Sequence, residues 1–192
     1  MLGGHFPSVV GRVRADLLES EFTEAEIKLA VMECDRNKAP GPDGFNMLCF
    51  QKFWKVMMGE VINFVNEFHR NGKLVKGINS SLITLIPKRD NPSGLSDYRP
   101  ISLVGSLFKI IAKLLAKRLK SVMPHIISEP QSAFLSGRNI LDGVLIANEV
   151  VAGWKKAKRK GVLIKLDFEK AYDSINWGFL FSMLSKFGFG AM

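Results

Sequence analysis

The stretch Gly161-Val-Leu-Ile-Lys-Leu-Asp167-Phe-Glu-Lys-Ala-Tyr172-Asp173 sets the tightest limit on what this chain can fold into. An apolar run of strand length ends on an aspartate, and a helix-like segment follows. Period-two alternation places Val162, Ile164, Leu166 and Phe168 on one face and Leu163, Lys165 and Asp167 on the other. A carboxylate at the end of a mostly buried strand is costly to keep charged unless something pairs with it. A metal ion is the partner that fits, so Asp167 reads as a metal ligand.

Size and charge narrow the setting. The chain has 192 residues, which suits one domain or a domain with an appendage. With 47% hydrophobic residues it can bury a sizeable core. Its 27 Lys and Arg outnumber 18 Asp and Glu, and a net charge of +9 favours a polyanionic partner. Cys34 and Cys49 have no second Cys or His at metal-ligand spacing, so free, buried thiols with no disulfide partner are expected. The start carries no signal-peptide pattern and no run is long enough to span a membrane, so an intracellular location, cytoplasmic or nuclear, is expected.

Taken in order, the first twenty or so residues lack periodicity and read as a loosely packed lead-in. Thr23 and Glu26 then form a capping box that opens a helix with Ile27, Ala30, Val31 and Cys34 on one face, ending near Asn37. The segment Ala39-Pro-Gly-Pro-Asp-Gly44 forbids a regular element, and Gly41 and Gly44 permit positive φ or close backbone approach. A helix with a wide aromatic stripe is predicted from Met47 to about Phe68, broken at Gly59 and stopped by Asn71-Gly72. Ser80 to Ile86 reads as a strand closed by Pro87-Lys88, and Tyr98 to Val104 returns after a polar loop. Lys88 and Arg99 then sit at the two mouths of that loop, where Arg99 could tie down the loop through Asp97.

Ser106 is placed as N-cap of a long amphipathic helix that Pro124 stops, with Lys109, Lys113, Lys117, Arg118 and Lys120 away from its apolar face. That basic side is either solvated or turned to phosphate. A loop with one aromatic and one arginine, Ser128 to Arg138, leads to a second helix from about Ile140 to Ala157. That helix finishes in a cluster of Lys155, Lys156, Lys158, Arg159 and Lys160, as suits a helix C-terminus. Trp177 to Phe187 reads as a last helix. The fold class is therefore α+β and helix-rich.

Nucleotide polymerisation asks little covalent chemistry of a protein. It needs carboxylates to hold metal ions and cations to steady a triphosphate. Asp167 and the Lys88/Arg99 pair have that chemistry. Five motifs extend it: Ala39-Pro-Gly-Pro-Asp-Gly44, Leu85-Ile-Pro-Lys88, Tyr98-Arg-Pro-Ile-Ser-Leu103, Gln131-Ser-Ala-Phe-Leu-Ser-Gly-Arg138 and Leu166-Asp-Phe-Glu-Lys-Ala-Tyr-Asp173. In this order they resemble the reverse transcriptase of LINE-type (non-LTR) retrotransposons, of a plant-like kind. The likeness runs from about Phe22 to the last residue.

The resemblance implies the fingers and partial palm of a right-hand polymerase, truncated before the second acidic motif. It implies a lead-in over 1–21, a helical N-terminal region over 22–78, fingers over 79–160 and the start of the palm over 161–192. Asp167 matches the first catalytic aspartate, a ligand of two Mg²⁺ ions, and the backbone carbonyl of Phe168 adds a ligand. Lys88 and Arg99 match residues that grip the triphosphate. Tyr172 matches the gate that stacks under the sugar and favours dNTP. Gly41, Pro42, Asp43 and Gly44 match a motif near template RNA. Gln131, Gly137 and Arg138 match a motif whose role is mainly structural and template-proximal. The implied partners are RNA template, DNA primer and dNTP.

The sequence contains no Asp-Asp dipeptide, so the Tyr/Phe-x-Asp-Asp hairpin that completes the family's metal site is missing. One carboxylate does not hold two divalent ions in catalytic geometry. A fragment of an RNA-directed DNA polymerase, inactive by itself, is the expected state. The alternatives are a non-catalytic nucleic-acid-binding remnant or a degenerate element product without a selected role. The strand bearing Asp167 would keep an exposed edge.

Overall fold

The computed structural model describes residues 12–135, 137–164, 166 and 173–190. The expectations for Asp167, Phe168 and Tyr172 fall outside these residues. The chain divides into two compact units: Ser20–Lys117, and the residues up to Glu19 with those from Arg118 onward.

The first unit is built on α2 (Glu24–Met32), α3 (Met47–Lys52), α4 (Trp54–Asn71), a hairpin of β1 (Ser81–Pro87) and β2 (Tyr98–Val104), and the start of α5 (Ser106–Ile126). The Thr23 hydroxyl accepts from Glu26 N at 3.2 Å while Glu26 accepts from Thr23 N at 2.9 Å, so the capping box forms as expected. α2 stops at Met32 rather than near Asn37. Beyond it the Gln51 side chain donates to the carbonyls of Val31 and Cys34, at 3.0 and 2.8 Å, which satisfies groups that a longer helix would have paired internally.

The break expected at Gly59 lies instead at Phe53, between α3 and α4. Gly59 has open space around it and stays helical, since one exposed glycine costs only about 1 kcal/mol. The bend lets Met47, Phe50 and Trp54 all reach one core with Phe22, Ile27, Ala30, Val31, Val61, Val65, Ile110 and Leu114. Each large member contributes roughly 1.5–3 kcal/mol by burial. Gly72, at φ 61°, ends α4 in the left-handed conformation.

β1 and β2 pair antiparallel in the register Ser81↔Val104 through Pro87↔Tyr98. Every residue of β1 is exposed, so the hairpin stands out from the helical core.

The second unit contains α1 (Arg12–Glu19), the end of α5, α6 (Ile140–Lys156) and α7 (Trp177–Lys186). α1 falls in the stretch read as a loosely packed lead-in. Its sequence, rich in Arg, Ala, Leu and Glu, is helix-forming although too short to show periodicity. α5 runs through Pro124 to Ile126 instead of stopping there. α6 and α7 lie where expected, each N-capped by an asparagine, Asn139 and Asn176. The described residues 161–164 and 166 form no strand. Val162, Leu163, Ile164 and Leu166 are all exposed, at 81, 69, 73 and 74%, so the two-faced burial read from their alternation is not present. A strand needs a ladder partner, and the one sheet among the described residues is β1–β2.

Candidate functional site

The hairpin sets the relation between Lys88 and Arg99. Arg99 lies opposite Ile86, and Lys88 is two residues beyond Ile86. Paired residues share a face and so do residues two apart; carried one residue past the end of β1, this alternation sets Lys88 and Arg99 as diagonal neighbours on one face. Both are exposed. Lys88 is partly committed: its Nζ donates to Ser96 O at 2.8 Å, and its backbone N donates to Asp97 O at 2.7 Å.

The connecting loop is closed by Arg89, not by Arg99. Arg89 Nη2 donates to Asp97 Oδ2 at 2.6 Å. The same oxygen accepts from Ser93 N and Gly94 N at 2.9 and 3.2 Å. The Arg89 guanidinium, followed by these backbone amides, holds the Asp97 carboxyl below its ordinary pKa. Arg99 instead lies opposite Ile86 in the hairpin register, and the bond to Asp97 is made by Arg89.

The Ala39–Gly44 loop is fixed by its glycines. Gly44 N donates to Gly41 O at 3.1 Å across a tight turn, and Gly44 has φ 70°. Gly41 lies hard against the end of β2: a Cβ there would fall 2.3 Å from Val104 C and 2.5 Å from Gly105 N. Asp43 Oδ2 accepts from Ser106 N at 2.5 Å, and Ser106 Oγ donates to Phe45 O at 2.7 Å. Lys109 Nζ adds a bond to Ala39 O at 3.0 Å.

This arrangement corrects the reading of Ser106 as N-cap. Lys109 N donates to Gly105 O, so Gly105 is the cap position and Ser106 is the first helical residue, fully buried. Glycine has no side chain to cap with, and Asp43 supplies the acceptor from another part of the chain. Sequence patterns of local capping carry no signal for such a pair, 63 residues apart.

The basic side of α5 is largely tied to protein groups. Lys113 and Lys117 both reach Glu33, at 3.7 and 2.8 Å. The Lys117 hydrogen bond is the main cause of a lowered Glu33 pKa. Arg118 is buried, and its Nη1 donates to Leu18 O at 3.3 Å. In the free chain these residues are thus engaged by protein groups. Cys34 and Cys49 are free but only half-buried; burial pushes the Cys34 thiol up, away from nucleophilic use.

In the second unit, Arg138 grips the turn after α5. Its Nη1 donates to Ser128 O and Gln131 O at 2.6 Å each, and its Nη2 to Ile127 O at 2.9 Å and Pro124 O at 3.4 Å. Gly137 has φ 80°, which lets the chain turn back toward those carbonyls. Gln131 N donates to Ser128 O within the same turn. Lys155 and Lys156 in the last turn of α6, and Lys158, Arg159 and Lys160 just after it, are all exposed.

Among the described residues, no three His, Cys, Asp or Glu side chains come together as a metal site. No helix among them is long and apolar enough to cross a membrane.

Residues 86–192 match the family described as Reverse transcriptase (RNA-dependent DNA polymerase). The transposon TX1 uncharacterized 149 kDa protein of Xenopus laevis is 30% identical over 182 residues, which are 95% of this chain and 14% of that protein. The retrovirus-related Pol polyprotein from type-2 retrotransposable element R2DM of Drosophila melanogaster is 27% identical over 88% of the chain and 15% of its own length. The retrovirus-related Pol polyprotein from type-1 retrotransposable element R1 of Bradysia coprophila is 27% identical over 84% of the chain and 16% of its own length. The chain thus spans about a seventh of the length of these relatives. They are animal elements and lend the plant-like expectation no support. The chain belongs to the reverse transcriptase (RNA-dependent DNA polymerase) family and is homologous to the Pol proteins of non-LTR retrotransposons.

Proposed function

We propose that this chain carries the fingers and the start of the palm of an RNA-directed DNA polymerase of a non-LTR retrotransposon. The observation that carries the reading is the placement of Lys88 and Arg99 on one exposed face of the hairpin, inside the stretch that matches the family. Two cations on a common face suit the oxygens of a dNTP triphosphate. Asp167, with the Phe168 carbonyl, is the metal-binding end of the site, and Tyr172 is the residue that senses the sugar. The loop Gly41, Pro42, Asp43 and Gly44 lies toward template RNA, as do Gln131 and Gly137. The four carbonyl bonds of Arg138 support a structural share in that role. DNA primer is the second nucleic-acid partner.

Mg²⁺ supplies charge on the attacking and leaving oxygens in such enzymes. In this reading Asp167 is the carboxylate of this sequence that binds it, and the sequence contains no Asp-Asp dipeptide to add the family's acidic pair. Primer extension on a poly(rA) template with Mg²⁺ and dTTP tests this. The 192-residue chain is expected to extend nothing, and supplying the acidic pair in a longer chain is expected to restore extension, which Asp167→Asn then abolishes. Robust extension by the chain alone would overturn the incomplete-site reading. A second reading, a binder of nucleic acid without catalysis, is favoured by the net charge of +9 and the exposed basic cluster at the C-terminal end of α6.

A further inference from the structure

The exposed hairpin raises a mechanical question. Lys88 and Arg99 lie at its far end, and all of β1 is exposed, so helix packing does little to fix where that end points. Arg99 is five residues from Val104, about 17 Å along an extended strand. A small rotation at the root is therefore magnified at the cations.

The root is held by polar and backbone contacts. Gly41 rests on Val104 and Gly105, while Asp43 accepts from Ser106 N and Ser106 Oγ donates to Phe45 O. Side-chain packing does not fill the space beside them. A cavity of about 220 Å³ lies there, lined by Pro42, Asp43, Ile78, Ser80, Gly105 and Leu107. Ser80 immediately precedes β1 and Gly105 immediately follows β2, so the cavity lies directly at the hairpin root. A Cβ on Gly105 would approach Asp43 Oδ2 to 3.1 Å, so a residue able to cap α5 locally would crowd the aspartate that caps it from afar.

We propose that Asp43 is a positioning residue: by capping α5 it latches the hairpin root and so orients Lys88 and Arg99. This rests on the reading of those two cations as the triphosphate grip. It gives the Asp43 side chain a role distinct from contact with template. The carboxylate also accepts from Phe45 N at 3.4 Å, which keeps the latch and its loop as one piece.

Amide hydrogen exchange on the full chain reads the latch directly. Asp43→Ala is expected to speed exchange at Ser106 and along β1 and β2 by about tenfold, the scale of one lost cap. Exchange in α2 and α4 should stay unchanged, which separates the effect from global unfolding. Asp43→Asn keeps an acceptor oxygen and is expected to restore most of the protection. Gly41→Ala forces the loop off Val104 and should reproduce the Asp43→Ala pattern in the hairpin. Faster exchange at Ser106 alone, with β1 and β2 unaltered, would overturn the proposal.

Titration with inorganic tripolyphosphate is the second arm. Asp43→Ala is expected to weaken its binding roughly fivefold, and no further weakening is expected when Arg99→Ala is already present. Loss of RNA affinity in Asp43→Ala and Asp43→Asn alike, with hairpin exchange unchanged, would return Asp43 to the template. If the unaltered chain binds no tripolyphosphate, the nucleotide reading fails, and the exchange pattern still decides on the latch.

Discussion

Asp97 shows how a single side chain organises a loop that sequence marked only as polar and turn-rich. One of its oxygens accepts from Arg89, Ser93 and Gly94, and its pKa is depressed for that reason. A carboxyl with a folded pKa below its unfolded value contributes stability above the unfolded value. That contribution is lost as pH falls through the folded one. Protection of the Ser93 and Gly94 amides, taken relative to their intrinsic exchange rates, should therefore hold at neutral pH and fall as pH drops below about 4. Asp97→Asn should show low protection at both ends of that range. The Arg89 and Asp97 pair was within reach of sequence reasoning, which offered only Arg99 as an alternative tie to Asp97. Hairpin register decides the matter, since Arg99 faces Ile86.

At the scale of elements, the helices were the most legible part. The Thr23/Glu26 box, the Gly72 stop and the periodicity of α5 and α6 are local signals, and local interactions honour them. Boundaries set by distant groups were not legible. Gln51 ends α2 from 17 residues beyond Cys34, and the bend at Phe53 serves a core shared by four helices. The 161–166 run fails for a related reason. Alternation marks a segment able to be a strand, but pairing decides whether it becomes one.

Exposed Val162, Leu163, Ile164 and Leu166 form an apolar segment with unpaired backbone, the composition that drives intermolecular β-pairing. The chain is expected to self-associate as its concentration rises. Leu163→Lys should shift the onset in light scattering to a several-fold higher concentration without altering helix content.

For the whole molecule, charge is the property that sequence conveyed in sum and misplaced in detail. The net +9 is real, but much of the α5 contribution is engaged by Glu33, Ala39 and Leu18. The cluster from Lys155 to Lys160 remains exposed. Single-stranded RNA that meets about four of these cations should bind with a log–log salt slope near −3. That is roughly a fifty-fold loss of affinity between 50 and 200 mM salt. Neutralising Lys155, Lys156 and Lys158 to Gln should flatten that slope, whereas the same change at Lys113 and Lys117 should leave it nearly unaltered. The order of the motifs made the family legible, and in the first of them the shape of the backbone requires its glycines. Gly41 and Gly44 illustrate this, one by close approach and the other by positive φ.

The bond from Ser106 to Asp43 also sets an order of folding. It joins residues 63 apart, and closing a loop of that length costs about 2.7 kcal/mol more than closing a local cap three residues long. α2 and α4 can form on contacts near in sequence, whereas the start of α5 waits for the hairpin between to be laid down. The first unit therefore completes its fold at the point where the loop meets the helix, so a chain emerging from synthesis cannot fasten its hairpin until Ser106 has been made.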